Sequence, residues 1–397
     1  MRCVAWCVAA TVILAGGVAT GENLHAPQPE DSLEQMLTIT WSRGPDLPQG
    51  FQDSNGGVIG NTLITACGFC SGLNNDRKPG MYPRGFLRKV WAVDVADEAA
   101  GWSELPEFPG AARQGLIAVP LGDAIYFWGG FSYSEPYCYT DGYKLSRQGG
   151  GWRWEPLPSL PWPICGTAGC AVGSTIYIFG GADYDAQAFY TPTDRHGKTE
   201  RMGARMLCID TADLDAGWRR LADCPGTPRW VACVTAIGDR IYVIGGATGG
   251  TSYNTVVDNW VYASKGDAWT RLRDLPVASG NFPGGKVVFK DRYIVLGGGY
   301  QYSKVTNPDG STREPYGTPR RFEGKGDYYN DVFVYDTQTG LFGRATSMPL
   351  NNNLSLTVVH GDQVYMIGGE TGTAVVEGEF YGHHPELFLK GKIEVAE

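Results

Sequence analysis

Residues 218–246 read WRRLADCPGTPRWVACVTAIGDRIYVIGG, and three features of this stretch recur along the chain. Trp218 stands seven positions before Pro225, the apolar run Ile241-Tyr242-Val243-Ile244 follows a Gly238-Asp239 turn, and a glycine pair, Gly245-Gly246, ends the run. The aromatic-to-proline spacing is met six times, at Trp41/Pro48, Trp102/Pro109, Trp154/Pro161, Trp218/Pro225, Trp269/Pro276 and Phe342/Pro349. Glycine follows about twenty residues after each proline: Gly68 alone, then Gly129-Gly130, Gly180-Gly181, Gly245-Gly246, Gly297-Gly298 and Gly368-Gly369. Marks at fixed offsets with a period of roughly 50 to 70 residues indicate a repeat architecture with one small sheet per repeat. Six repeats predict six sheets.

An apolar, β-branched run stands before most of these glycines: Ile125 to Trp128, Ile176 to Phe179, Ile241 to Ile244, Tyr293 to Leu296 and Val364 to Ile367. Such short runs, bounded by turns like Gly361-Asp362, read as strands buried on both faces and are too short for helices. The glycines permit close backbone approach where sheets crowd toward an axis. The aromatics can wedge between neighbouring sheets.

At this point the residues resemble the kelch family of β-propellers, whose repeat combines a strand ending in a glycine pair, a strand with a Tyr-Asp-like element and a tryptophan strand. Val332-Phe333-Val334-Tyr335-Asp336, Leu207-Cys208-Ile209-Asp210 and Val90-Trp91-Ala92-Val93-Asp94 supply the middle element. With the strands of a repeat named a to d, the chain opens on a d strand at Trp41 and ends after a c-like strand near Glu386 to Leu389. The expectation is an all-β, six-bladed kelch-type propeller over residues 38–397, its last blade closed by the N-terminal strand. Closure removes open sheet edges.

Composition fits one such domain: the 56 glycines and 24 prolines are spread periodically through apolar strands, which marks turn-rich β structure rather than disorder. The net charge of −9, without a basic run, argues against nucleic acid or an anionic membrane surface as partner. Residues 1–20 read as a secretory signal, with Arg2, an apolar stretch from Val4 to Leu14 and small residues at Gly17-Val18-Ala19. An uncleaved anchor is the alternative. Residues 21–37 read as a linker, and the mature protein is expected in the periplasm or outside the cell. Removal of the signal leaves eight cysteines, an even count that allows disulfides without choosing a pairing. Cys67-x-x-Cys70 is an isolated pair and reads as a disulfide or buried thiols rather than as a zinc or redox motif.

Function must come from loops, since propellers host unrelated activities. Strand order places the d-to-a and b-to-c connections on one face, and three b-to-c connections are long: about Phe69 to Arg88, Ala182 to Arg205 and Gly299 to Tyr329. Tyr300 opens the last of these, which is rich in Tyr, Arg and Gly. Counting back about sixteen residues from each glycine mark selects Gln52, Arg113, Cys165, Arg229, Asn281 and Asn352, most of them hydrogen-bonding groups aimed near the axis. Residues just after the glycines are Phe69, Phe131, Ala182, Ala247, Gly299 and Glu370. Forked donors on Arg113 and Arg229 match a carboxylate or phosphate, while a semi-enclosed Glu370 can serve as general acid or base. The competing reading is a glutamate neutralised by a neighbouring arginine.

Within the kelch proteins the chain is similar to the secreted bacterial sialic acid mutarotase/epimerase group, through Phe108-Pro109-Gly110-x-x-Arg113, Gly368-Gly369-Glu370-Thr371 and the long fifth-blade loop. The resemblance implies interconversion of the anomers of N-acetylneuraminate or a related acidic sugar, with no metal or organic cofactor, and binding roles for Arg113 and Glu370. It departs where the family's catalytic glutamate falls on Ala247. The base would then be Glu370 or a loop acid such as Asp53 or Glu323. A non-catalytic carbohydrate- or protein-binding propeller is the rival reading. A copper radical oxidase needs two histidines and two tyrosines at the axis, whereas vicinal His383 and His384 in a strand would point to opposite sides. Nothing in the sequence fixes the oligomeric state.

Overall fold

A computed structural model describes residues 33–73, 79–80, 82–183, 203–248, 254–276, 286–301, 304–306, 312–313 and 327–397. The signal segment lies outside them. Six four-stranded antiparallel sheets form the blades. Blade 1 runs Asn55–Ile59, Thr62–Ala66, Val90–Asp94 and Ser103–Glu104; blade 2 runs Ile117–Leu121, Ala124–Trp128, Gly142–Gln148 and Gly151–Leu157. Blade 3 comprises Gly169–Val172, Thr175–Phe179, Met206–Asp210 and Arg219–Arg220, and blade 4 Cys233–Ile237, Arg240–Ile244, Asn259–Ala263 and Ala268–Leu272. Val288–Phe289, Tyr293–Gly297, Val332–Asp336 and Leu341–Ala345 form blade 5. Blade 6 takes Leu356–His360, Gln363–Ile367 and Phe388–Val395 from the C-terminal end and its outer strand, Leu37–Arg43, from the N-terminal end.

That closing strand pairs Leu37 with Val395, Trp41 with Gly391 and Arg43 with Leu389. Leu37 and Ile39 are buried in a cluster with Met348, Val359 and Leu389, so the strand seals blade 6 against blade 5. Residues expected as linker are already packed from Leu33 onward: Leu33 is buried and Gln35 bridges to Arg344.

The glycine pairs join the blades. The first member of each pair sits at positive φ in every blade, at 65° for Gly129, 67° for Gly180, 63° for Gly245, 73° for Gly298 and 61° for Gly368. Blade 1 places Cys67 there at φ 63°, and in blade 5 the pair is Gly298-Gly299, one residue later than the sequence marks suggest. A Cβ on Gly129, Gly180, Gly298 or Gly368 would stand 2.2 to 2.6 Å from a backbone carbonyl oxygen of the following blade. The second glycine then donates its N–H to that blade: Gly68 to Arg113 O at 2.9 Å, Gly130 to Ile164 O at 2.9 Å, Gly181 to Arg229 O at 3.0 Å, Gly299 to Asn352 O at 3.2 Å and Gly369 to Phe51 O at 2.8 Å. The last of these closes the ring. Nearer the axis a second set of bonds runs the other way, Asp53 N–H to Leu354 O, Gly115 to Asp53, Gly166 to Gly115 and Val231 to Gly166.

The tryptophans lock the outer edges. Each indole N–H donates to a carbonyl of the preceding blade: Trp41 to Thr346, Trp102 to Pro45, Trp154 to Pro106 and Trp269 to Ala222, at 2.8 to 3.2 Å. Trp218 is the exception, its Nε1 buried without a partner among the described residues. Trp128 has taken the carbonyl of Pro158, at 3.0 Å. The eight cysteines after the signal segment are buried free thiols, and burial pushes Cys67 and Cys233 up to about 12.

Arg113 and Arg229 complete the frame. Arg113 donates Nε to Ala111 O, Nη1 to Gly129 O and Asp141, and Nη2 to Asp141, while its guanidinium lies 3.6 Å from the ring centroid of Tyr139. Arg229 repeats the pattern on Thr227 O, Gly245 O and Asp258, and both members of its ion pair are fully buried. Burial works to raise the Asp258 carboxyl, but the Arg229 charge and the bonds from Trp260, Arg229 and Thr227 bring it below its ordinary value.

Deleting residues 38–46 should destabilise the whole domain by several kcal/mol, burial of Ile39 alone being worth about 1.5–3 kcal/mol. An unchanged melting temperature would show that the closure is dispensable. Arg229→Ala should cost about 3–5 kcal/mol, because Asp258 is left as an uncompensated buried charge. Since the Asp258 carboxyl is depressed, the stability it contributes is present above its unfolded value and lost as pH falls through the folded one. Melting curves of wild type and variant should therefore converge in acid; a gap that stays constant to the lowest accessible pH would contradict the assignment.

Candidate functional site

On the face that carries the d-to-a and b-to-c connections, each described blade entry pairs with the residue after its own glycine mark. The isolated bridges are Gln52 to Phe69, Gln114 to Phe131, Cys165 to Ala182, Trp230 to Ala247 and Asn353 to Glu370. These pairs ring the mouth of the axis with an uneven chemistry. On blades 3 and 4, Cys165, Ala182, Trp230 and Ala247 pack in one apolar cluster. Blades 6, 1 and 2 bring the polar members.

The sequence candidates separate into two registers. Arg113, Arg229 and Asn352 each direct a side-chain N–H to the carbonyl of the first glycine of their own blade, Gly129, Gly245 and Gly368. These side chains are spent on the frame and the two arginines do not meet Glu370 in a shared pocket. Gln52 belongs to the mouth ring one residue further on. Asn281 lies outside the described residues, as does Glu323, and Tyr300 is placed by its backbone alone, in a two-residue strand opposite Tyr328.

Glu370 does stand at the mouth. Burial pushes its carboxyl up to about 7 against the pull of a hydrogen bond from Tyr328. Its Oε1 and the Nε2 of His384 both lie within 3 Å of where a Cβ on Gly382 would stand, so the glycine leaves room for the two groups to converge. His384 accepts the Ser71 N–H on Nδ1 at 3.0 Å, which leaves the ring proton on Nε2. Burial and the neighbouring His383 push its pKa down to about 3, against the pull of the Phe69 backbone, so the ring stays neutral. Asp53 lies beside Gln52, and burial pushes its carboxyl up to about 7 as well.

Two long connections cover these groups. The blade 1 connection folds Phe69–Cys70 against Gly85–Phe86, and it carries Arg84 across to blade 6, with the guanidinium 4.9 Å from the ring centroid of Tyr381. Arg84 is exposed and has no carboxylate partner among the described residues. Tyr133, on the blade 2 connection, stands 4.9 Å from Phe86, 6.3 Å from Phe131 and 6.4 Å from Phe69 between ring centroids. Burial raises its phenol, and the charges of Asp53, Arg84 and Glu370 all bear on it. Gln52 Oε1, Gln114 Oε1 and Asn353 Oδ1 are buried acceptors with no partner among the described residues. Blades 6, 1 and 2 thus combine two carboxyls of raised pKa, one unpaired cation, unmet amide acceptors and an aromatic wall.

Sequence reasoning missed Arg84, Phe86 and Tyr133, and weighed His384 only as a metal ligand. The available signal was the length of the connection from Phe69 to Arg88, which holds the first two; their meeting with blade 6 follows only from ring closure.

A family model described as the KLHDC2/KLHL20/DRC7 Kelch-repeats domain matches residues 115–369. The chain is 23% identical over 364 residues to the N-acetylneuraminate epimerase of Haemophilus influenzae (strain 86-028NP), across 85% of this chain and 91% of that protein. It is 23% identical over 359 residues to the protein of the same name from Pasteurella multocida (strain Pm70), across 82% and 88%. The solved structure of YjhT shares the fold, with a TM-score of 0.61, 16% identity and coverage of 90% of this chain and 100% of that chain. The chain belongs to the kelch-repeat family, as a six-bladed propeller related to the bacterial N-acetylneuraminate epimerases.

Proposed function

We propose that this propeller is an exported, cofactor-free acid–base catalyst of anomer exchange on an acidic reducing sugar, N-acetylneuraminate or a close relative, and that Glu370 is a catalytic residue. The observation that carries the reading is that Glu370, and Arg84 without a carboxylate partner among the described residues, both bear on Tyr133 at one mouth, beside the unmet acceptors of Gln52, Gln114 and Asn353. A guanidinium suits a sugar carboxylate. Buried acceptors without partners suit hydroxyl donors, since leaving them unpaired costs about 1–3 kcal/mol each. Anomer exchange needs a group that both takes and gives a proton, and a carboxyl titrating near neutrality does this with the smallest mismatch. The named activity of the Haemophilus and Pasteurella relatives supports the same substrate class. Export, through the segment at residues 1–20, is part of this proposal.

In this reading Arg84 holds the carboxylate, Gln52 binds sugar hydroxyls with Gln114 and Asn353, and Arg113, Arg229 and Asn352 keep the floor in shape. Tyr300 and Asn281 remain assigned to the wall contributed by blade 5. A recognition module is the second reading, and buried Ala247 at the blade 4 ring position favours it, because no acid stands there.

NMR exchange spectroscopy on α- and β-N-acetylneuraminate, with a panel of neutral and acidic reducing sugars, separates the two. Wild type should accelerate exchange of acidic sugars and Glu370→Gln should lose at least about 100-fold of that rate. Binding without acceleration would favour the recognition module. Because its carboxyl is raised, Glu370 is neutral below about pH 7 and charged above. Affinity for an anionic sugar should therefore fall as pH rises through that value, and the step should shrink in Glu370→Gln, Asp53 being raised to about 7 as well. Arg84→Ala should weaken the acid by about 1.5–3 kcal/mol while leaving its methyl ester nearly unchanged. Equal losses for acid and ester in calorimetric titration would remove Arg84 from that role.

A further inference from the structure

The residues that pass backbone hydrogen bonds around the axis all hold positive φ: Asp53 at 53°, Gly115 at 63°, Gly166 at 59°, Val231 at 47° and Leu354 at 55°. The backbone does not ask for an acid here. Glycine fills the place in blades 2 and 3 and an aliphatic residue in blades 4 and 6, so among the described ring residues Asp53 alone carries a titratable group. Its carboxyl accepts no hydrogen bond and pairs with no cation among the described residues. Asp53 Oδ2 lies 3.2 Å from where a Cβ on Gly115 would stand, so the carboxyl sits beside the next ring residue, at the entry of blade 2. The titratable groups around it are Tyr133 from the blade 2 connection, which also senses Glu370 of blade 6 and Arg84 of blade 1, and the Cys165 thiol of blade 3. An unpartnered carboxyl at the end of the axis, with the second carboxyl and the cation of the site around one phenol, is placed for a ligand.

We propose that Asp53 is the second catalytic residue of the site, touching the anomeric end of the sugar together with Glu370; this rests on the acid–base reading given above. One carboxylate takes the proton of the anomeric hydroxyl as its oxygen forms the carbonyl bond. The bond from the anomeric carbon to the ring oxygen breaks, its electron pair stays on that oxygen, and the other carboxyl supplies the proton it needs. The two carboxyls have then exchanged protonation states. Rotation of the freed carbonyl and reclosure on its other face run the transfers backwards and restore them, with no oxidant, reductant or co-reactant. Two carboxyls held up near 7 by burial can each serve in either role at neutral pH.

Asp53→Asn is the diagnostic variant, since asparagine keeps the size and tolerates left-handed backbone. Exchange spectroscopy with N-acetylneuraminate should show kcat lowered at least about 100-fold with Kd changed less than about threefold. The pH–rate profile of the residual activity should keep only the limb assigned to Glu370. Should the asparagine variant melt early, Asp53→Gly carries the test, because it installs the residue found at positions 115 and 166. Wild-type kcat in a folded variant overturns the role of Asp53 and leaves Glu370 and anomer exchange standing. A wild type that accelerates no sugar of the panel fails the acid–base reading itself, and the catalytic role of Asp53 falls with it.

Discussion

Contact between the backbone of one blade and the backbone of the next is the constraint on which the rest of the molecule depends. Among the described blade junctions the second glycine reaches a carbonyl at the entry of the following blade, and where the first member is also glycine there is no side chain to hold the two strands apart. Both residues take positive φ, so the requirement is conformational as well as steric. Cys67 meets the conformational half at φ 63° in blade 1 and shows that the first position tolerates a small side chain there. Buried backbone groups must be paired, and for the second glycine the partner belongs to the neighbouring blade. The Gly369 bond to Phe51 therefore makes closure a matter of hydrogen bonding as much as of the shared sheet in blade 6.

This explains why so much of the fold was legible. Glycine pairs, tryptophans and Tyr-Asp elements are each demanded by one contact repeated around the ring, so their spacing announces the repeat. The tryptophans read from the sequence as wedges are also hydrogen-bond donors to the preceding blade. The site was less legible for a physical reason. Counting back from a glycine reaches both the residue that serves the glycine carbonyl and, one position later, the residue at the axial mouth. Arg113 and Arg229 are of the first kind and Gln52 of the second, and a one-residue difference in register exchanges a structural arginine for a ligand group. Arg84 lay within a flagged connection, but its proximity to Tyr381, almost three hundred positions away, is set only when the last blade meets the first.

The backbone is close to six-fold symmetric and the side chains at the mouth are not. Blades 3 and 4 spend their ring positions on apolar packing around Trp230 and Ala247, which anchors that half of the mouth. Blades 6, 1 and 2 place there the groups that cost most to bury. Glu370 and Asp53 sit without a cation paired to either, and a nearby positive charge would have depressed them as Arg229 does Asp258. The contrast between the two carboxylate environments is informative. Asp258 is ionised and silent because its charge is matched, whereas Glu370 and Asp53 are poised near neutrality because theirs is not.

The same accounting separates frame from site without reference to any relative. A buried polar group whose partner belongs to its own blade, as in Arg113 with Asp141, is explained by folding alone. Gln114 Oε1, Asn353 Oδ1 and the Asp53 carboxyl are not, since folding has given them no partner among the described residues. Folding to this state leaves hydrogen-bonding capacity unused at one place only among the described mouth residues, and with a mixed demand: donors for the amide oxygens, an anion for Arg84, a proton to exchange with the carboxyls. A polyhydroxylated acid supplies all three in one molecule. A neutral polyol leaves Arg84 unanswered, and a simple carboxylate leaves the amides unanswered, so the unmet groups narrow the ligand class further than the fold does.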